Sequence, residues 1–220
     1  MNVMTQSIES SAYQEIKQAI LYGRIEPDEI LSEASLSKKL GHSRTPIRSA
    51  LKQLEQEKLV VYKKNRGVTL REASVKEMVD VTQICVEWMI LATKKAQTGL
   101  SILDVDAIQE RLTAAKNYRA ALDYAQYINQ MPKVYTKIME AAGNELLIPT
   151  YENLWARVIS TSLYRKMADP HNSPKKTIST VQFFQEYLAL IENNQFDQAI
   201  AKLMDYQEYA NHQILHYGTL

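Results

Sequence analysis

The sequence predicts a mainly α fold in two parts: three helices plus a β-hairpin at the N-terminus, followed by an all-α antiparallel helical bundle. Three observations carry this. Apolar residues recur at helical spacing along most of the chain. One segment, LVVYKKNRGVTL, places two strand-forming runs around a Lys-Asn-Arg-Gly turn. Everything after Ser74 reads as helix, with no second strand signal of that strength.

Each element follows in order. Tyr13, Ile16 and Ile20 mark a first helix that ends near Arg24. Leu36 and Leu40 mark a short second one, with Ser32 as its N-cap and Glu33 in its first turn. A Gly41-His42-Ser43 turn leads to a third, marked by Ile47, Leu51 and Leu54 and ending near Lys58. Val60, Val61 and Tyr62 then face Val68, Thr69 and Leu70 in the hairpin. Ser74 with Glu77 reads as a capping box that opens a helix over about 75–98. Further helices are predicted at about 105–121, 123–142, 145–166, 176–193 and 196–216. Pro132 predicts either a kink beside Met131 or a late start to its helix. The boundary between the two parts falls at the polar Glu72-Ala73-Ser74, giving domains of 1–72 and 73–220.

Composition narrows the function classes. At 220 residues the chain suits two domains. The apolar run Val86 to Ala92 is far too short to span a bilayer, and the first residues lack the basic and apolar regions of an export signal. A single cysteine, Cys85, excludes an internal disulfide. The expectation is therefore a cytoplasmic protein with no membrane partner. Net charge is only +1, yet residues 34–71 carry ten basic side chains against Glu55 and Glu57. A basic cluster on a balanced protein is the footprint of a phosphate-binding face.

The cluster has a shape. Two helices joined by a tight turn form a helix-turn-helix, whose second helix enters the major groove of DNA. Arg44, Arg48 and Lys52 are spaced four apart and share one face of that helix, while Ile47, Ala50, Leu51 and Leu54 occupy the other. Ser43 is placed to cap it and Pro46 sits in its first turn. Guanidinium pairs with guanine O6 and N7, and the hydroxyls of Ser43 and Thr45 suit phosphate oxygens. Lys63, Lys64, Arg66 and Gly67 make a basic wing tip, where Gly67 would permit close approach to the duplex.

The run over about residues 12–71 resembles the winged-helix domain of the GntR family of bacterial regulators. The resemblance lies in Ile-Leu-x-Gly-Arg at the end of the first helix, Leu-Ser-Glu before the second, Ser-Arg-Thr-Pro-x-Arg opening the third, and the glycine-tipped wing. It implies that Arg44, Thr45, Arg48 and Gly67 contact DNA. The family often has an arginine where Ala34 stands here, so Lys38 or Lys39 is expected to supply phosphate contacts instead.

The helical remainder is similar to the effector domain of the FadR subfamily, through KIMEAAGNELL (Lys137 to Leu147) and NNQFDQAIAKLM (Asn193 to Met204). That resemblance implies a homodimer reading a pseudo-palindromic double-stranded operator, acting as a repressor whose DNA affinity a small-molecule effector changes. Many members hold a divalent metal on an aspartate and three histidines. The matching positions here are Met131, Tyr135, Phe184 and Tyr206, which offer no carboxylate or imidazole. No metal and no cofactor is therefore expected. These four residues instead become the candidate effector pocket, with Arg157 as the partner for an acidic ligand. Ten of the 13 tyrosines lie beyond residue 117, consistent with either ring packing or a ring-lined cavity. His212 and His216 are four apart but face away from Tyr206, His42 belongs to the turn, and His171 to a polar loop.

Two alternatives stay open: a metal-sensing member of the same family, and a helical protein-interaction adaptor, since Phe196 to Met204 resembles a tetratricopeptide helix without a repeat. An enzyme is not expected. The sequence has no nucleophile beside a base, no phosphate-binding glycine loop and no paired carboxylates in an apolar setting.

Overall fold

A computed structural model describes residues 2–26, 29–64, 67–168 and 179–218, with side chains described from residue 11 onward except at 166–168. Among them the order is α1 (Asn2–Leu21), α2 (Glu33–Leu40), α3 (Arg44–Gln56), β1 (Val60–Lys63), β2 (Gly67–Leu70), α4 (Val75–Gln97), α5 (Val105–Ala120), α6 (Tyr124–Met139), α7 (Leu147–Ala168), α8 (Thr180–Glu192) and α9 (Phe196–Tyr217). The chain is mainly helical, with a winged helix-turn-helix first and a helical bundle after it.

Local signals set most boundaries. Ser32 accepts the Ser35 amide at the start of α2, and Gly41 ends it at φ 72°, donating its own N–H to Ser37. Lys58 takes the left-handed position after α3 at φ 62°, where a glycine is more usual. The hairpin has the predicted register, Val60 opposite Leu70 and Tyr62 opposite Val68. Leu31 adds an isolated bridge to Val68, its N–H donating at 2.7 Å, which ties the segment before α2 to the wing. Glu140–Ala142 tightens into a 3-10 turn after α6, ahead of the predicted end at 142. Helix α6 runs through Pro132 from Tyr124, which removes the late-start reading. Predicted residues 176–178 of the eighth helix, His171 and Arg66 lie outside the described residues.

Two capping expectations need correction. Ser43 holds the N-cap position of α3 with extended backbone, but its hydroxyl caps nothing. Ser74 does accept the Glu77 amide at 3.1 Å, yet the Glu77 carboxylate pairs with the Arg71 guanidinium. A cation at the end of β2 outcompetes the neutral backbone N–H that a complete box would use.

Two buried cores result. One joins Ile16 and Ile20 of α1 with Leu36, Ile47, Leu51, Leu54, Val60 and Val68. The other fills α4 to α9, from Met78 and Met89 to Phe184, Leu203 and Ile214. Each large side chain fully withdrawn from water contributes about 1.5–3 kcal/mol. Gln97 donates to Asp197, tying the end of α4 to the start of α9, so these two helices run antiparallel.

The two cores meet along α6 and α7. Ala156 of α7 sits in the first core. Ile128, Ile159 and Leu163 form a seam that Leu21 packs against. Asn129 donates to the Leu21 carbonyl at 2.8 Å, Ala73 N–H to Thr161 Oγ1 at 2.8 Å, and Arg165 to Glu72 at 2.8 Å. Helix α7 thus touches both halves of the chain.

Candidate functional site

The basic face forms as its spacing predicts. Ser43, Arg44, Thr45, Arg48 and Lys52 are exposed on α3, while Ile47, Ala50, Leu51 and Leu54 are buried against α1 and α2. Lys38, Lys39, Lys63, Lys64 and Gly67 are exposed as well. With Ser43 not capping and Pro46 carrying no N–H, the first-turn amides of α3 are those of Arg44 and Thr45, next to the exposed Ser43 and Thr45 side chains, a set suited to a phosphate oxygen. Gly67 has φ 89°, and a Cβ there would lie 3.0 Å from Ile30 Cγ2. Packing against Ile30 is thus sufficient reason for the glycine.

The face is held by contacts that span the sequence. Arg48 donates from Nε to Glu33 Oε1 at 2.6 Å and from Nη2 to Oε2 at 2.8 Å, joining α3 to the start of α2. This hydrogen-bonded guanidinium holds the Glu33 carboxyl below its ordinary range, with Arg44 and Lys52 adding to the effect. His42 Nε2 lies 3.0 Å from Glu15, and its carbonyl accepts from Ser37 Oγ at 2.5 Å, so the turn is tied to both α1 and α2. Tyr13 donates to Glu57 at 2.7 Å while Lys17 donates to both, locking α1 to the end of α3. None of these pairs between elements has a sequence signature, because Arg48 and Glu33, His42 and Glu15, and Tyr13 and Glu57 lie 15 to 44 residues apart.

Lys63 is exposed at the end of β1, beside the wing turn. Lys63→Ala is expected to weaken binding to every duplex alike and to lower the salt dependence by about one counterion. Titrations at several salt concentrations measure this, and a loss confined to one sequence would reassign Lys63 to base reading.

In the bundle, Met131, Tyr135, Phe184 and Tyr206 are all buried in one core. Phe184 lies 5.2 Å from Tyr135 and 5.0 Å from Tyr206, ring centre to ring centre, and the Tyr135 and Tyr206 hydroxyls are hydrogen-bonded at 2.8 Å. Tyr151 and Trp155 of α7 complete the cluster at 6.4 and 6.3 Å from Tyr135. Their four-residue spacing was the available signal for them. Burial pushes the Tyr135 and Tyr206 phenols well above their ordinary range, so neither is a phenolate donor. The donor set does not fit a divalent metal. Among the described residues no group of three or more His, Cys, Asp or Glu is placed to hold an ion. His212 and His216 are exposed, with rings 4.2 Å apart.

Arg157 is half-buried on α7. It follows Trp155 by two residues, roughly 200° around α7, so it projects from another face than the aromatic pair. Its Nη2 donates to Asn153 at 2.8 Å. Trp155 Nε1 is buried with no acceptor among the described residues, and burial pushes the Cys85 thiol, beside Tyr151, up to about 12.

Comparison with known proteins bears on the first half above all. Residues 8–70 match the model of bacterial regulatory proteins of the gntR family. The HTH-type transcriptional regulator McbR of Escherichia coli (strain K12) is 24% identical over 144 residues, 66% of this chain and 65% of that protein. The gluconate operon transcriptional repressor of Bacillus licheniformis is 29% identical over 113 residues, 50% of this chain and 46% of that one. The chain thus matches less than two thirds of the length of either relative. The crystal structure of a "putative transcriptional regulator GntR" from Rhodococcus sp. RHA1 superposes with a TM-score of 0.80 at 19% identity, covering 95% of this chain and 98% of the other, a likeness of fold. The family and both relatives are named as regulators, not enzymes.

Proposed function

We propose, from the match of residues 8–70 to the gntR family of bacterial regulatory proteins, that this chain is a DNA-binding transcription regulator acting in the cytoplasm. The observation that carries the reading is the exposed face of Arg44, Arg48 and Lys52 on α3, backed by a buried apolar face within the matched segment. In this reading residues 1–72 bind DNA, with Lys38, Lys39, Ser43, Thr45, Lys63, Arg66 and Gly67 contributing backbone contacts. Residues 73–220 bind an effector and join two chains, as in the FadR subfamily. One helix-turn-helix engages one half-site, so a homodimer on a pseudo-palindrome supplies useful affinity. Repression is the expected sign, after the relative named a repressor.

The effector site is the cluster of Met131, Tyr135, Phe184 and Tyr206, extended by Tyr151 and Trp155. It works without metal. Its rings suit a planar apolar ligand, and the unpaired Trp155 N–H calls for an acceptor atom on it. Helix α7 carries both this cluster and the seam with Leu21, which gives the ligand a route to the DNA-binding half.

Selection from a randomised duplex library tests the DNA reading: recovered sequences should contain two half-sites about one helical turn apart. Recovery of no common sequence would sink it. Thermal shift against a metabolite panel in EDTA tests the effector reading. A stabilising ligand whose effect is lost in Tyr135→Ala supports it, and stabilisation only by added divalent metal counts against it.

A further inference from the structure

We infer that Glu33 is a positioning residue for base recognition: its carboxylate grips one edge of Arg48 and leaves the other edge facing the major groove. The inference rests on the DNA-binding reading above. A guanidinium has two edges that can each form paired hydrogen bonds. The side edge, Nε with Nη2, is spent on Glu33 at 2.6 and 2.8 Å. The end edge, Nη1 with the outer hydrogen of Nη2, remains available, and an edge of that shape matches guanine O6 and N7.

The two partners are not equivalent. Glu33 is the anchored member: its side chain is 29% exposed, it opens α2, and Ser32 fixes that start by accepting the Ser35 amide. Arg48 is the reaching member, 59% exposed on the outward face of α3. A long side chain held in one conformation before docking has less freedom to lose on binding. The contact also draws Glu33, an acid among Arg44, Arg48 and Lys52, into a surface that would otherwise attract phosphate without discrimination. Acidic charge there weakens binding to any duplex, so the positioning role trades affinity for selectivity.

The competing account is a surface ion pair that must break when DNA docks. The two accounts differ in sign. Sequences selected by the wild-type chain from a randomised duplex library supply the cognate probe, and a scrambled duplex of the same composition supplies the other. If Glu33 positions Arg48, Glu33→Gln weakens cognate binding roughly ten-fold, the scale of one bidentate base contact. Binding to the scrambled duplex stays the same or tightens, because a negative charge has left the phosphate-facing side. In an Arg48→Ala background the same change costs no cognate affinity. Glu33→Asp keeps the charge but shortens the reach, and it too loses discrimination. Melting curves of each variant confirm that it folds. Equal tightening on both probes in Glu33→Gln overturns the positioning role while leaving DNA binding intact. A wild-type chain that selects no sequence overturns the DNA-binding reading itself.

Discussion

Arg44→Ala is expected to weaken binding to a selected operator by about 1–3 kcal/mol per half-site and to relax preference at one base position in each. Arg44 opens α3 and is exposed, and among the described residues it makes no ion pair. The N-terminal end of a recognition helix is where base edges are met. A dimer loses the contact twice, so a total near 2–6 kcal/mol is expected if the two halves add. Affinity measurements on a panel of single-base variants decide the matter. A base-reading arginine loses its penalty at the one position it reads, whereas a uniform loss across the panel would make Arg44 a phosphate contact.

The second large effect lies in the bundle. Tyr135→Phe and Tyr206→Phe should each destabilise the helical half by about 1–3 kcal/mol, while the double variant returns close to the parent. The two hydroxyls are hydrogen-bonded to each other at 2.8 Å, and both residues are buried. Removing one oxygen leaves the other desolvated with nothing to bond. Removing both leaves an apolar contact of nearly the same shape. Urea denaturation followed by tryptophan fluorescence reads this directly, because both tryptophans, Trp88 and Trp155, lie in the helical half. Additive losses in the double variant would mean that each hydroxyl has its own separate partner. The bond joins α6 to α9 at the positions where the subfamily resemblance implied metal ligands, so it is a cross-tie made from neutral groups.

Much of this was legible in the residues. Ser32 and Gly41 bracket α2 as a capping serine and a left-handed glycine should. The strand pairing follows from two β-branched runs and the turn between them. Arg44, Arg48 and Lys52 at spacing four were bound to share a face once Ile47, Leu51 and Leu54 were buried. The gathering of Met131, Tyr135, Phe184 and Tyr206 came from the family resemblance and not from periodicity, and the structure does bring them together.

The residues alone dictate those features whose causes lie within about one turn of helix or one hairpin: caps, periods, register, and the division of α3 into basic and apolar faces. Packing was needed to turn Glu77 toward Arg71, six residues back, and to set Leu31 in an isolated bridge against Val68. It also paired Glu33 with Arg48 and seated Leu21 against α6 and α7. Ser43, by contrast, has a local reason to cap nothing at the third helical position, where Pro46 has no N–H to give. The physical reason is one of range. A cap or a period is an interaction between residues that the backbone already holds a few ångströms apart. An ion pair or a ring contact between distant segments exists only after both cores have packed, and charges that could choose several partners are assigned by which of them the packing brings within reach.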